Sequence, residues 1–160
     1  MRHKNKAMAV QNFPKHIFLA DDDIDDRTLF ADMVNEISEA TTLTQFENGH
    51  QLTTFLDNIL NPIPDMILLD LNMPVKDGFE CLREIRSHHR NLSDLSVVVL
   101  TTSSDPYTMR QVFDLGATYY AVKPRKYTAM KSMVHEFMSI DWQSSRLNAE
   151  SSFLIAPMNI

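Results

Sequence analysis

Two segments, DMILLD at 65–70 and SVVVLT at 96–101, are apolar through their middles, with no polar residue in alternation. A strand with one wet face carries polar residues at every second position, so strands without them are covered on both faces. HIFLA at 16–20 is a third such run and ends directly in acid. TTLTQFE at 41–47 alternates and is β-branched, and TYYAV at 118–122 supplies a fifth strand. Between the strands the apolar period becomes helical. Leu29, Phe30, Met33, Val34 and Ile37 recur at that spacing in the first interval. Leu52, Phe55, Leu56, Ile59 and Leu60 do so in the second, before Asn61-Pro-Ile-Pro64 breaks the chain. FECLREIRSHH, PYTMRQVFDLG closed by Gly116, and a last stretch over 127–142 complete the set. A βα unit repeated five times predicts an α/β fold: a five-stranded parallel sheet, doubly wound, with right-handed crossovers.

Sites in such sheets form at the carboxyl ends of the strands. There the sequence is orderly. The first strand ends in Asp21, Asp22 and Asp23, the third in Asp70, the fourth in Thr101 and Thr102, and the fifth runs into Lys123-Pro124. Two carboxylates about 4 Å apart repel by roughly 4 kcal/mol at an effective dielectric near 20. Such a cluster is tolerable when a cation offsets it or a carboxylate takes up a proton. Oxygen ligands without His or Cys favour a hard ion, and few carboxylates with open positions favour Mg²⁺. With Lys123 as a second positive charge and Thr101 as a hydrogen-bond donor, the site suits a phosphoryl group.

The 160 residues suffice for one ordinary domain, and 44% hydrophobic with 22% charged residues is typical of a folded soluble protein. A net charge of -6 and pI near 5.4 argue against nucleic-acid or membrane-surface partners, which need a basic footprint. The single Cys81 has no internal disulfide partner, and no apolar run approaches a membrane span. A cytoplasmic location follows as the expectation.

FLADDD, ILLDLNMPVKDG, VVVLTTS and AVKP, in that order and spacing, resemble the signature of response-regulator receiver domains, the fold of the chemotaxis regulators. The resemblance implies a flavodoxin-like sheet of strand order 2-1-3-4-5, with a receiver over 14–142, an N-terminal extension over 1–13 and a tail over 143–160 too short for an output domain. It implies that Asp70 is the phosphoacceptor and that Mg²⁺ or Mn²⁺ is held by Asp70, Asp22, Asp21 (mainly through water) and the backbone carbonyl of Asn72. Thr101 takes the place of the switch hydroxyl and Tyr120 that of the aromatic that swings inward as Thr101 moves. Lys123 is the family's lysine, and Pro124 follows a bond often held cis. Pro74, Asp77 and Gly78 shape the loop after Asp70, while Asn72 and Ser103 flank the path of attacking water. The implied protein is no turnover enzyme. It is a phosphoacceptor switch served by a histidine kinase or histidine phosphotransfer protein, either read by an unknown downstream protein through its fourth helix, fifth strand and fifth helix or relaying phosphate between histidine phosphocarriers. Whether the chain forms a homodimer stays open.

Other residues carry plainer expectations. Asp25 and Asp26 favour the positive end of a helix, and Asp23 lies between that role and a water-mediated one. Asp21, Asp23 and Asp25 imitate the start of a calcium loop, but Asp26 and Asp32 stand where it needs glycine and glutamate. His88 and His89 read as solvated, and Cys81 as core-facing and inert. An aspartyl-phosphate phosphatase would want a second Asp as general acid where Asn72 stands. A degenerate receiver acting only as a binding module would lack site residues that are all present here.

Overall fold

The computed structural model describes residues 13–88, 90, 92–141 and 154–155. Residues 1–12 of the expected 1–13 extension, His89, Asn91, Trp142 and most of the tail lie outside them. Five βα units follow one another: β1 His16–Ala20, α1 Ile24–Ile37, β2 Thr42–Phe46, α2 Gly49–Asp57, β3 Met66–Leu69, α3 Gly78–Arg86, β4 Ser96–Thr101, α4 Pro106–Asp114, β5 Tyr119–Val122 and α5 Tyr127–Ser139. Every pairing is parallel. The order is β2-β1-β3-β4-β5, with a two-residue β6, Leu154–Ile155, added in parallel outside β5. The sequence reading has no counterpart for this sixth strand. Among the described residues no helix is long and apolar enough to cross a membrane.

Strand alternation divides the core in two. Ile17, Leu19, Met66, Leu68, Val98 and Leu100 face α1 and α5, meeting Phe30, Met33, Val34, Met133, Val134 and Phe137. Their neighbours Phe18, Ile67, Leu69, Val97 and Val99 face the other way, onto Leu52 and Leu56 of α2, Leu82 and Ile85 of α3, and Val112 of α4. Every residue of β3 and β4 is buried, as their unbroken apolar middles require. Fully burying one such side chain is worth about 1.5–3 kcal/mol, so the sheet's middle is the fixed frame on which strand ends are displayed.

The helix starts are chemically specified. Asp23 caps α1, Asn48 caps α2 and Asp105 caps α4, each accepting backbone N–H bonds. Asp77 forms a reciprocal capping box with Glu80 at α3. The α2 helix stops short of the expected face. Asn58 takes the Leu60 N–H on its side chain and the Asn61 N–H on its carbonyl, turning the chain. Ile59 and Leu60 are therefore exposed turn residues, not part of the helical stripe. His88, expected to be solvated, has only 3% of its side chain exposed and bonds Asp57 at 2.7 Å. Cys81 is buried as expected, with its thiol pushed up to about 12 by that burial.

Gly78 opens α3 against the loop that carries Asp70. A Cβ there would lie 2.4 Å from the Asp70 carbonyl oxygen and 2.8 Å from the Leu71 Cα, both backbone atoms. Gly78→Ala should destabilise the fold by about 1–3 kcal/mol through overpacking, read as a lower urea midpoint at unchanged slope. An unchanged midpoint would mean that the helix can shift away freely.

Candidate functional site

The backbone ladder runs one residue past the strands and thereby fixes the site. The Asp21 N–H donates to Phe46 O, the Asp70 N–H to Ala20 O and the Lys123 N–H to Thr101 O, at 3.1, 2.9 and 2.7 Å. Since Ala20 pairs with Leu69, Asp21 and Asp70 emerge side by side. Side-chain oxygens of Asp21, Asp22 and Asp70 lie within 4.8 Å of one another, with Asp21 and Asp70 buried and Asp22 exposed.

Each carboxylate has distinct surroundings. Asp21 Oδ1 accepts the Asp23 N–H at 2.9 Å and Oδ2 the Lys123 ammonium at 2.7 Å. Among the described residues, Asp70 Oδ1 receives only a long 3.4 Å bond from the Asn72 N–H, and its Oδ2 is 3.6 Å from Lys123 Nζ. Burial raises the Asp21 carboxyl above its ordinary value, with Lys123 opposing. Burial likewise lifts Asp70 to about 6, Lys123 opposing and the Asp21 charge adding to the rise. For Lys123, burial alone would favour the neutral amine, but hydrogen bonds to Asp21 and Asp26 and the pull of Asp70 outweigh it and raise the pKa. The lysine is a fixed cation.

The donor set fits a hard divalent ion. Three carboxylates converge, no His or Cys among the described residues joins the cluster, and Asp22 faces solvent where waters would complete the shell. Carboxylates near 4.8 Å apart repel by roughly 3 kcal/mol per pair at an effective dielectric near 20, so one ammonium among Asp21, Asp22 and Asp70 leaves the site short of positive charge.

Most residues singled out in the sequence converge here, and several do so in unforeseen ways. Asp23 is the N-cap of α1, its Oδ1 accepting from the Asp25 and Asp26 N–H groups. Asp77 and Gly78 hold the start of α3 against the Asp70 loop, and Pro74 precedes Val75, whose φ of 70° is a rare conformation for a branched residue. The Lys123–Pro124 bond, which the resemblance left open to the cis form, is trans. Trans is the lower-energy isomer for X-Pro by about 0.5–1 kcal/mol, and in it Lys123 already makes both its backbone and its side-chain contacts. Thr101 is buried, its hydroxyl accepting from the Ser103 N–H at 3.3 Å. Tyr120 is already fully buried, its hydroxyl donating to the Ser103 carbonyl at 2.7 Å. Tyr120 thus takes an inward position in this structure: that bond satisfies the phenol within the β4–α4 loop and leaves the ring in the core.

Two site residues escaped the sequence reading. Asp26, placed there as a mere helix-start acid, bonds Lys123 Nζ at 2.8 Å. Helical side chains lean toward the preceding turn, so the third residue of α1 reaches back over the end of β1, a signal that was available. Arg27 is buried and donates to the Asp21 carbonyl at 2.7 Å, bracing the strand end. Nothing in an isolated arginine on a polar helix announces that.

The family model described as "Response regulator receiver domain" matches residues 17–135. The response regulator Rcp1 of Synechocystis sp. is 33% identical over 127 residues, covering 77% of this chain and 86% of that protein. A Mn²⁺-bound structure of Rcp1 superposes with a TM-score of 0.70 at 32% identity, covering 85% of this chain and all of that one. The phosphorylated cyanobacterial phytochrome response regulator RcpA gives a TM-score of 0.74 at 30% identity, over 82% of this chain and 95% of that one. Other relatives are longer: the chain covers only 35% of a probable C4-dicarboxylate response regulator, DctR of Priestia megaterium, at 34% identity over 83 residues, 52% of this chain.

The raised Asp70 carboxyl gives a signed stability prediction for the metal-free protein. Between its ordinary value of 3.8 and about 6 the folded state binds more protons than the unfolded one, so stability falls as pH rises through that window. Above it the full penalty of a buried charge is present. Asp70→Asn should therefore be more stable than wild type by about 1–3 kcal/mol at pH 7.5 in chelator, the difference closing below pH 4. Denaturant unfolding at the two pH values checks it; equal stability at pH 7.5 would mean the Asp70 charge is not strained.

Proposed function

Since the chain belongs to the response-regulator receiver family, we propose that it is a phosphoacceptor switch of two-component signalling, with Asp70 as the residue modified. The observation that carries this reading is the placement of the Asp70 carboxylate beside Asp21, Asp22 and Lys123 at the carboxyl edge of the sheet. A kinase or phosphotransfer protein phosphorylated on histidine is the donor. An Asp70 oxygen attacks phosphorus, the phosphorus–nitrogen bond to the donor imidazole breaks, and the imidazole leaves with a proton, producing an acyl phosphate. Asp21, Asp22, Asp70 and the Asn72 carbonyl would hold Mg²⁺ or Mn²⁺, which supplies charge neutralisation for phosphoryl oxygens when bound. The Mn²⁺-bound state of Rcp1 and the phosphorylated state of RcpA support both halves of the assignment by similarity.

Lys123 offers a permanent positive charge to a phosphoryl oxygen, and Thr101 offers its hydroxyl. Turning that hydroxyl toward Asp70 gives up its bond with the Ser103 N–H, so Tyr120, anchored on the Ser103 carbonyl, senses the change through the same loop. The surface of α4, β5 and α5 is then the one a downstream protein reads. Water returns Asp70 to a carboxylate and releases inorganic phosphate. The chain catalyses only its own modification and reset.

Incubation with acetyl phosphate and Mg²⁺, followed by intact mass, should add one labile phosphoryl group to wild type. It should add none to Asp70→Asn or to wild type in chelator. Labelling of Asp70→Asn at the wild-type rate would overturn the assignment.

A further inference from the structure

An ammonium has three hydrogens to donate. Lys123 spends one on Asp21 Oδ2 at 2.7 Å and one on Asp26 Oδ2 at 2.8 Å, while the nearest Asp70 oxygen stands at 3.6 Å, outside hydrogen-bond range. Asp26 is not one of the three carboxylates that converge for a metal. It belongs to α1, whose first turn is pinned by the Asp23 cap onto the Asp25 and Asp26 N–H groups. Lys123 hangs from the end of β5. The bond therefore ties a helix to a strand end across the mouth of the site. Only 9% of the Lys123 side chain and 32% of that of Asp26 is exposed, which sets the pair apart from freely solvated surface ion pairs.

We propose that Asp26 is a tether for Lys123, holding its ammonium on the α1 side of the site and competing for it with any phosphoryl group on Asp70. The inference rests on the phosphoacceptor reading above and adds to it a positioning residue that acts through Lys123. A phosphoryl group brings about 1.5–2 negative charges and three acceptor oxygens. Lys123 keeps one hydrogen for a phosphoryl oxygen, but drawing the ammonium toward Asp70 lengthens its bond to Asp26 on α1, whereas Asp21 sits beside Asp70 whichever way the lysine points. Asp26 thus sets how tightly the modified state is held. An asparagine at that position keeps an acceptor of the same shape and removes the charge, and glutamate keeps the charge on a longer stem.

The test is equilibrium binding of beryllofluoride, a mimic of a phosphoryl group on a carboxylate, to the full chain at saturating Mg²⁺, followed by calorimetry. Asp26→Asn and Asp26→Ala should bind roughly three- to tenfold tighter than wild type, the scale expected for losing one competing, partly sheltered ion pair. Asp26→Glu should return toward the wild-type value. In a Lys123→Ala background the Asp26→Asn change should have no effect, and Asp25→Asn, which removes the neighbouring charge, should leave affinity unchanged. Unchanged or weaker binding by both Asp26→Asn and Asp26→Ala would overturn the tether. So would an equal tightening without Lys123 or at Asp25, since that would mark a through-space charge effect. If wild type itself bound no beryllofluoride, the phosphoacceptor reading would fall and the tether with it. If wild type bound it and Asp70→Asn did not, that reading would stand whatever the Asp26 variants showed.

Discussion

The register between β1 and β3 is the constraint on which the rest depends. Ala20 pairs with Leu69, and the ladder continues with the Asp70 N–H on the Ala20 carbonyl. Side chains in the two strands then leave the sheet at the same level, so Asp21 and Asp70 have no freedom to move apart. A slip of one residue would send every side chain of the slipped strand into the opposite core, among partners it does not fit. The apolar side chains of β1, β3 and β4 therefore enforce a juxtaposition of like charges that no carboxylate would choose.

Hydrophobic burial easily wins that contest. A dozen or more core side chains at about 1.5–3 kcal/mol each outweigh carboxylate repulsion of roughly 3 kcal/mol per pair. What remains is a local strain: burial first, with the Asp21 charge adding at Asp70, raises the Asp21 and Asp70 carboxyls, and Lys123 is held firmly protonated. The strain is relieved by whatever brings positive charge or removes negative charge, and a divalent cation does the former. The same shortage of cations explains why Lys123 is shared among carboxylates from two directions, and why the distribution of its bonds matters.

The architecture was legible because its signal is redundant: each doubly buried strand has a continuous apolar middle, and each intervening helix shows a periodic stripe. The identity of Asp70, Asp21, Asp22, Lys123 and Thr101 as neighbours followed from their common place at strand ends, with the family resemblance supplying roles. What escaped depended on side-chain direction or on contacts distant in sequence. The end of α2 was set by Asn58 catching two N–H groups, although Ile59 and Leu60 continue the apolar stripe. His88 is covered and bonded to Asp57, 31 residues earlier. Asp26 was placed correctly on the helix but its reach toward Lys123, 97 residues away, was not read. The two residues of β6 carry too short a pattern to announce a strand, and their partner was already an expected edge.

Asp21, Asp22 and Asp70 would form one seat for a divalent cation, held in place by the sheet. Calorimetric titration of the full chain with Mg²⁺ at neutral pH tests it most directly, beside Asp22→Ala and Asp70→Ala. Saturable binding of one ion by wild type, weakened at least tenfold in each variant, is the predicted result. Wild-type affinity retained in both variants, or no binding by wild type, would rule out that seat.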